Sequence, residues 1–302
     1  MTREITYIIE QDEWTAGRRA TAGEFLRRRG FSRHLLTYLR HHNNTLLLNN
    51  EAVFTNQPVF PGDTLTAIFT DEIPAETVVP TPMDLNIVHE DEDILVINKP
   101  PYLPIQPSLG HYENTLGNGV VAYYQSQGTP FIYRCVNRLD RNTSGLVIIA
   151  KNMASSAILY EEMKERRIRR TYFTVVHGRF DTPEGTIDLP IARKTPSLME
   201  RCVDPENGQR AVTHYTQLSY QEKNDTTALS VRLETGRTHQ IRVHMSYIGH
   251  PVVGDSLYGV PSGDLISRQA LHSLKLEFMH PISRKDLTFE APLPEDIRSL
   301  LF

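Results

Sequence analysis

Residues 138–152 read RLDRNTSGLVIIAKN, and this stretch joins a charged cluster to an apolar run. The cluster around Asp140 leads through a polar turn into the apolar run at residues 146–150. A short apolar run after turn residues predicts a buried strand. An acid at the mouth of such a strand has its orientation fixed by the sheet, so Asp140 is a candidate reactive carboxylate. Alternatively, Asp140 caps the turn and pairs with Arg138 or Arg141.

The surrounding region, residues 85–302, predicts one large domain. It alternates β-rich runs such as ILVIN, TYFTVVHG and ALSVRLETG with few long helical patterns, and helices are predicted at residues 116–127 and 154–167. The regular βα alternation of a doubly wound fold is missing. We therefore expect an α+β domain, a large mixed and mostly antiparallel sheet with flanking helices.

Residues 1–70 predict a separate small α/β domain. A short strand opens it, two short helices are expected within residues 18–40 with Ser32 as an N-cap, and strands joined by turns follow. Residues 71–84, rich in Pro, Thr and acid, are predicted to be a linker.

The helical part of this small domain is strongly basic. Against one acid, Glu24, it carries seven arginines: Arg18, Arg19, Arg27, Arg28, Arg29, Arg33 and Arg40. They form either a solvated basic face or a site for the phosphates of a nucleic acid. Two arginine-rich helices before a small sheet with the segment VFTNQPVFPGDTLTAIF resemble the S-four-type RNA-binding domain. This resemblance implies RNA contacts by Arg18, Arg28, Arg29 and Arg33.

A second polar cluster lies in LETGRTHQIRVHMSYIGHPVVGDSLYG, residues 233–259. Arg237, His239, Arg242 and His244 are expected at the end of a strand. An odd spacing on a strand points the two histidines to opposite faces, which argues against a metal site. The cluster is better suited to supply a guanidinium that pairs with a buried carboxylate.

These segments together resemble the RluA family of pseudouridine synthases, from about residue 85 to the last residue. EDEDILVINKPPYLPIQPS resembles the family's first motif, and RLDRNTSGL resembles the second, whose aspartate is the nucleophile. TYFTVVHG resembles the segment with the active-site tyrosine. LETGRTHQIRVHM resembles the motif that supplies the basic partner of the aspartate, and RQALHSLKLEFMHP resembles the segment that closes the core. Two positions depart from the family pattern: Asn137 replaces a histidine and Arg170 replaces a lysine.

The resemblance implies a role for each matching residue. Asp140 is the nucleophile that isomerises uridine to pseudouridine, and Tyr172 stacks on the flipped uracil. Arg242 is the first choice for the partner of Asp140, and Arg237 is the second. Arg138 takes the place vacated by the base. RNA contacts are expected from Arg138, Arg141, Arg237 and Lys99.

The composition of the 302 residues fits this interpretation without requiring it. The net charge is −4, so an RNA partner, ribosomal or transfer RNA, is indicated only by the local arginine clusters. The reaction needs no cofactor or metal. Two cysteines and the absence of an apolar leader or span predict a cytoplasmic protein away from membranes, and we expect a monomer.

Two other functions stay open from sequence alone. A glycoside hydrolase needs a second carboxylate about 5–9.5 Å from the first. The candidates, Glu234 and Asp255, look structural because they lie beside an arginine cluster and a glycine turn. A non-catalytic RNA-binding protein would not need Asp140.

Overall fold

The computed structural model of the chain describes residues 2–11, 20–71, 78–108, 112–197, 199–259 and 265–302. The described part of the first 71 residues forms a small unit of four antiparallel strands, in the order β1-β4-β2-β3, with two helices. The elements are β1 (Thr2–Ile8), α1 (Ala22–Arg28), α2 (Arg33–His41), β2 (Leu46–Leu48), β3 (Glu51–Ala52) and β4 (Thr64–Thr70).

Both helices of the small unit begin at side-chain caps. Thr21 and Glu24 form a capping box at α1, and the hydroxyl of Ser32 accepts a hydrogen bond from the Leu35 amide at 3.3 Å. The predicted helices and the predicted N-cap are therefore present. Leucines of α2 and strand residues on the facing side of the sheet form one buried core.

The rest of the chain is built around one large sheet. Its helices are α3 (Leu116–Ser126), α4 (Met153–Lys164), α5 (Gln240–Tyr247) and α6 (Glu295–Arg298), with 3₁₀ turns at Glu222–Asn224 and Ser299–Leu301. Its strands are β5 (Ile87–Glu90), β6 (Ile94–Lys99), β7 (Ser144–Ala150), β8 (Arg169–His177), β9 (Glu184–Asp188), β10 (Ile191–Arg193), β11 (Arg201–Val203), β12 (Val212–Gln221), β13 (Thr226–Leu233), β14 (Leu271–Met279) and β15 (Asp286–Glu290).

The large sheet is mixed and mostly antiparallel, as the sequence predicts. Its strand order is β5-β6-β7-β14-β8-β13-β12-β9, with β15 paired to β14, and β10 and β11 form a separate hairpin. Within the described residues, β7 and β14 form its one parallel pair. Gly145 is required there, since a Cβ on it would lie 2.3 Å from the carbonyl oxygen of Ser273. The α+β prediction is confirmed.

Strands β6 and β7 are buried on both faces. Alternate residues such as Val147 and Ile148 face two different apolar clusters. This is why residues 146–150 form an unbroken apolar run. The helices predicted at residues 116–127 and 154–167 are α3 and α4, and α4 ends earlier than predicted, before Arg166 in the left-handed region (φ +60°).

The small unit packs against α4 of the large unit. Ala154 and Ile158 of α4 are fully buried in the core of the small unit. Arg3 also donates two hydrogen bonds, at 2.9 and 2.8 Å, to the carboxylate of Asp93. The two regions that the sequence separates by a linker thus share a core, and most of that linker (residues 72–77) lies outside the described residues.

Candidate active site

Asp140 lies in the turn that leads into β7 and lines a cleft of about 550 Å³. Its carbonyl oxygen accepts a hydrogen bond from the Thr143 amide at 3.1 Å, which closes the turn. Its side chain is 23% exposed. The carboxylate can therefore be reached from the cleft although the backbone that carries it is fixed.

Arg242 of α5 pairs with this carboxylate. Its Nη1 donates to Oδ2 of Asp140 at 2.9 Å, while Nε and Nη2 donate to the two oxygens of Asp255 at 2.6 and 2.8 Å. Burial disfavours the charged guanidinium, but the hydrogen bonds to Asp255 and the charge of Asp140 outweigh it and raise the pKa of Arg242. A permanent, oriented cation thus lies beside Asp140.

Asp255, which the sequence analysis interprets as a structural acid, contacts Arg242. Besides its two bonds to Arg242, it accepts hydrogen bonds from the amides of Leu257 (2.9 Å) and Tyr258 (3.1 Å). Burial alone would raise its pKa, but the Arg242 guanidinium and these amides hold that pKa below its ordinary value. Asp255 therefore orients Arg242. The sequence signal, an acid 13 residues after Arg242, is too weak to reveal this contact.

The polar cluster around Arg242 begins a helix, and its expected position at a strand end was wrong. Strand β13 ends at Leu233, and α5 starts at Gln240 after His239, whose φ is +59°. The Gln240 side chain accepts from the Arg237 amide at 3.0 Å and donates to the Val212 carbonyl at 2.9 Å, which fixes the start of the helix. A local left-handed residue thus converts a strand-like pattern into a turn.

The two histidines of this cluster lie in different surroundings. His239 bonds the Tyr258 hydroxyl at 2.8 Å, and its Nε2 lies 3.9 Å from Oδ1 of Asp140. His244 instead contacts Thr213 and the Leu189 carbonyl, both at 2.9 Å. Burial lowers the pKa of both rings, so they are neutral near pH 7. The expectation that a strand places these histidines on opposite faces was wrong, because His244 lies in helix α5 and His239 precedes it. Their rings nevertheless bond to different groups.

Tyr172 of β8 lines the same cleft as Asp140 and Arg242. It is 5% exposed, and burial raises the pKa of its phenol, which stays protonated near pH 7. The ring is packed in the core of the large unit. The structure thus brings together the three residues expected at the reacting centre, from the turn before β7, from β8 and from α5.

Of the three exposed arginines expected to contact RNA near Asp140, two line the cleft. Arg138 and Arg237 are exposed and line the cleft. Arg141 is also exposed, and its Nε donates to the Tyr102 carbonyl at 3.3 Å. Arg237 donates through Nε to the Arg210 carbonyl at 3.1 Å and does not take the place of Arg242 beside Asp140.

Comparison with known proteins decides the family. A family model described as RNA pseudouridylate synthase matches residues 93–247. The chain belongs to this family. It is 43% identical over 93% of its length to YjbO of Bacillus subtilis (strain 168), named an uncharacterized RNA pseudouridine synthase, and covers 98% of that protein. The chain is therefore an RNA pseudouridine synthase, as its motifs predict.

Two further relatives agree with this result. Ribosomal large subunit pseudouridine synthase D of Escherichia coli (strain K12) is 40% identical, over 74% of this synthase and 71% of that protein. The solved structure of human RNA pseudouridylate synthase domain containing 1 has a TM-score of 0.58 and 29% identity, and the match covers 69% of this synthase and 83% of that chain.

Lys99 is placed differently from the expectation that it contacts RNA. It is fully buried, and its ammonium donates to the carbonyl oxygens of Pro100 (2.8 Å) and Arg141 (3.1 Å). Burial lowers its pKa to about 7, against the opposing attraction of Asp140. The ammonium holds the backbone next to Asp140 and is shielded from solvent, so the expected RNA contact was wrong in this conformation.

Two other buried side chains hold the same turn from the side of β14. Arg268 donates to the Asn142 carbonyl at 3.1 Å, and Gln269 donates to the Thr143 hydroxyl at 3.2 Å. Arg268 is itself fixed by two bonds to Asp296 at 2.6 and 2.8 Å. Together with Lys99 they fix the turn after Asp140 from within the protein.

The arginines that the structure describes in the small unit do not line the cleft. Arg28 and Arg33 are exposed, whereas Arg29 is partly buried, with its guanidinium 5.0 Å from the ring centre of Tyr7 and 5.4 Å from that of Phe25. Arg18, the fourth expected RNA contact, lies outside the described residues.

One group in the described residues has the composition of a metal site, namely Asp91, Asp93 and His280. Its ligand atoms already have protein partners. Asp93 accepts from Arg3, Asn152 and Ser155, and the rings of His280 and His89 contact Asp91 at 3.1 and 2.9 Å. Through the hydrogen bonds from Arg3 to Asp93, this group stabilises the contact between the two units.

The two carboxylates considered for a glycoside hydrolase are already paired with basic side chains. Asp255 is bonded to Arg242, and Glu234 lies 2.8 Å from Arg166 and 2.9 Å from His214. Among the described residues, no helix combines the length and apolar character needed to cross a bilayer.

Proposed function

We propose that this synthase isomerises specific uridines in structured RNA, ribosomal RNA first and transfer RNA second, with Asp140 as the nucleophile. The observation that carries the proposal is the pairing of Asp140 with Arg242 at 2.9 Å inside an open cleft. The name of the Escherichia coli relative, a ribosomal large subunit synthase, supports ribosomal RNA.

The chemistry of the isomerisation matches what these residues offer. The bond between N1 of uracil and C1′ of ribose breaks, the base turns, and C5 bonds to C1′ while the C5 proton is lost and N1 gains one. An ionised carboxylate held by Arg242 provides the nucleophile. The uridine must leave the base stack to enter the cleft, and Tyr172 offers an aromatic face on which the base stacks.

The exposed arginines supply the affinity for RNA in this proposal. Arg138 and Arg237 at the mouth of the cleft bind phosphates next to the flipped nucleotide, and Arg141 extends this surface. The small unit is an S-four-like RNA-binding domain whose Arg28 and Arg33 add phosphate contacts, with Arg29 beside them. A guanidinium suits this task because it can donate two parallel hydrogen bonds to two oxygens of one phosphate. The enzyme acts as a cytoplasmic monomer.

The experiment that tests this proposal is a map of pseudouridines in total RNA from cells with and without the gene. We expect one or a few sites in ribosomal RNA to disappear in the deletion and to return with the wild-type gene. If the sites that disappear and return lie only in transfer RNA, the substrate is transfer RNA and not ribosomal RNA. An unchanged map, together with no product from the purified enzyme on total RNA, would overturn the proposal.

A further inference from the structure

Arg170 is a buried arginine that faces the cleft. It lies on β8 two residues before Tyr172, and residues two apart on a strand point to the same face. It is 8% exposed and lines the cleft with Tyr172 and Asp140. Arg170 and Tyr172 therefore face the same cleft.

The guanidinium of Arg170 lacks the partners that its burial requires. Its Nε is buried and has no hydrogen-bond partner, and the bond from Nη2 to the Thr235 carbonyl is long, at 3.4 Å. No carboxylate of the described residues lies within 4 Å of it. By contrast, the buried arginines Arg242 and Arg268 each donate two bonds to one carboxylate. A buried, unpaired cation is costly unless a ligand completes its bonding.

The backbone opposite Arg170 is shaped to accept its guanidinium. A Cβ added to Gly236 would lie 2.9 Å from Nη1 of Arg170. A side chain at position 236 would therefore push the guanidinium aside. Glycine at this position and the Thr235 carbonyl next to it keep the guanidinium in the cleft wall.

The nearby charges leave Arg170 available for an anionic or electron-rich ligand. Asp140 is paired with Arg242, and Glu234 is paired with Arg166 and His214. RNA phosphates can be bound by exposed arginines at the mouth of the cleft. A buried guanidinium on the same strand face as Tyr172 is better placed to meet the base that enters the cleft.

We propose that Arg170 donates hydrogen bonds to a carbonyl oxygen of the flipped uracil and stabilises the negative charge of the detached base. This rests on the proposed function. When the N1–C1′ bond breaks, its electron pair leaves with uracil, and the charge spreads onto the carbonyl oxygens. A preorganised guanidinium binds this anion more strongly than the neutral base. No additional reactant is needed, because the pair forms the C5–C1′ bond in the next step.

The test compares Arg170→Met with Arg237→Met, which removes an arginine at the mouth of the cleft. For Arg170→Met, we expect kcat to fall by roughly 100-fold with KM within about twofold of wild type and an unchanged salt dependence of RNA binding. Arg170→Lys should recover part of kcat. For Arg237→Met, KM should rise and the salt dependence should weaken, with kcat nearly unchanged.

The opposite pattern would overturn the proposal. If Arg170→Met raises KM and weakens the salt dependence without lowering kcat, Arg170 binds phosphate. If neither constant changes, Arg170 has only a packing role. Should Arg170→Met fail to fold, Gly236→Ala serves instead, since it displaces Nη1, and a folded Gly236→Ala enzyme with wild-type kcat would also contradict the proposal.

A readout without turnover separates this proposal from the proposed function. Saturation-transfer NMR with free uracil as the probe should detect binding to wild type and to Arg237→Met, and a clearly weaker signal for Arg170→Met. Equal signals from all three would refute the role of Arg170 even if the enzyme makes pseudouridine. Loss of the signal only in Arg170→Met would support that role even if no RNA substrate turned over.

Discussion

Asp255 accepts two hydrogen bonds from Arg242, at 2.6 and 2.8 Å, and is itself fully buried in its side chain. These bonds use Nε and Nη2, which leaves Nη1 for Asp140. The position of Arg242 beside the Asp140 carboxylate thus depends on an acid that does not line the cleft.

We therefore predict that Asp255→Asn lowers kcat by about 100-fold, because misplacement of Arg242 by a fraction of an ångström also misplaces Asp140. The change breaks a buried ion pair and should lower the free energy of unfolding by about 3 kcal/mol. Single-turnover kinetics and urea unfolding measure the two effects. Asp188→Asn, at an exposed pair with Arg210, is the control and should change neither. Wild-type kcat in a folded Asp255→Asn enzyme would contradict the orienting role.

Lys99→Met should change how stability depends on pH. The pKa of Lys99 falls from an ordinary value of 10.5 to about 7 on folding, because the ammonium is buried. Between these values the unfolded chain binds one more proton than the folded chain, so this lysine makes stability rise with pH from 7 upward. Below pH 7 both states are protonated and the contribution is constant.

Urea unfolding of wild type and Lys99→Met at pH 6, 7, 8 and 9 measures this effect. The free energy of unfolding of the variant minus that of wild type should be largest at pH 6–7 and decrease toward pH 9. A difference that is independent of pH would show that Lys99 titrates normally and is not buried as described.

Substitution tests the small unit better than truncation does, because removal of residues 1–70 would expose Ala154 and Ile158 of α4. We expect the double change Arg28→Gln and Arg33→Gln to weaken RNA binding and to reduce the slope of log affinity against log salt by about 1–2, while kcat at saturating RNA stays the same. The control is the double variant Lys223→Gln and Lys285→Gln, which removes two positive charges at exposed sites of the large unit. Equal slopes in both double variants would mean that the arginines of the small unit are only a solvated surface.

The sequence predicts that Asp140, Tyr172 and Arg242 lie together, as they do in the cleft, because each lies in a contiguous motif. Asp140 precedes a strand whose buried character is visible in five consecutive apolar residues. Tyr172 begins a second β-rich run, and Arg242 lies in a dense polar segment. Each element could be placed from local pattern, and the family resemblance then brought them together.

The supporting contacts could not be predicted in the same way. Asp255 and Arg268 contact residues on other structural elements. These contacts depend on how α5 and β14 pack near the turn after Asp140. Lys99 was expected to bind RNA from the family resemblance, and its burial under the turn after Asp140 follows from packing that the sequence alone does not reveal. The start of α5 was mistaken for a strand end because one left-handed residue, His239, changes the chain direction.

The most direct test of the whole account is the turnover of Asp140→Asn on RNA labelled with tritium at C5 of uridine, since formation of the C5–C1′ bond releases that tritium. Wild type should release tritium and form pseudouridine in equal amounts. Asp140→Asn should bind the RNA within about threefold of wild type and release less than about a thousandth as much, since the amide cannot act as the nucleophile. If Asp140→Asn releases tritium at more than a few per cent of the wild-type rate (about 1 in 30), Asp140 is not the nucleophile.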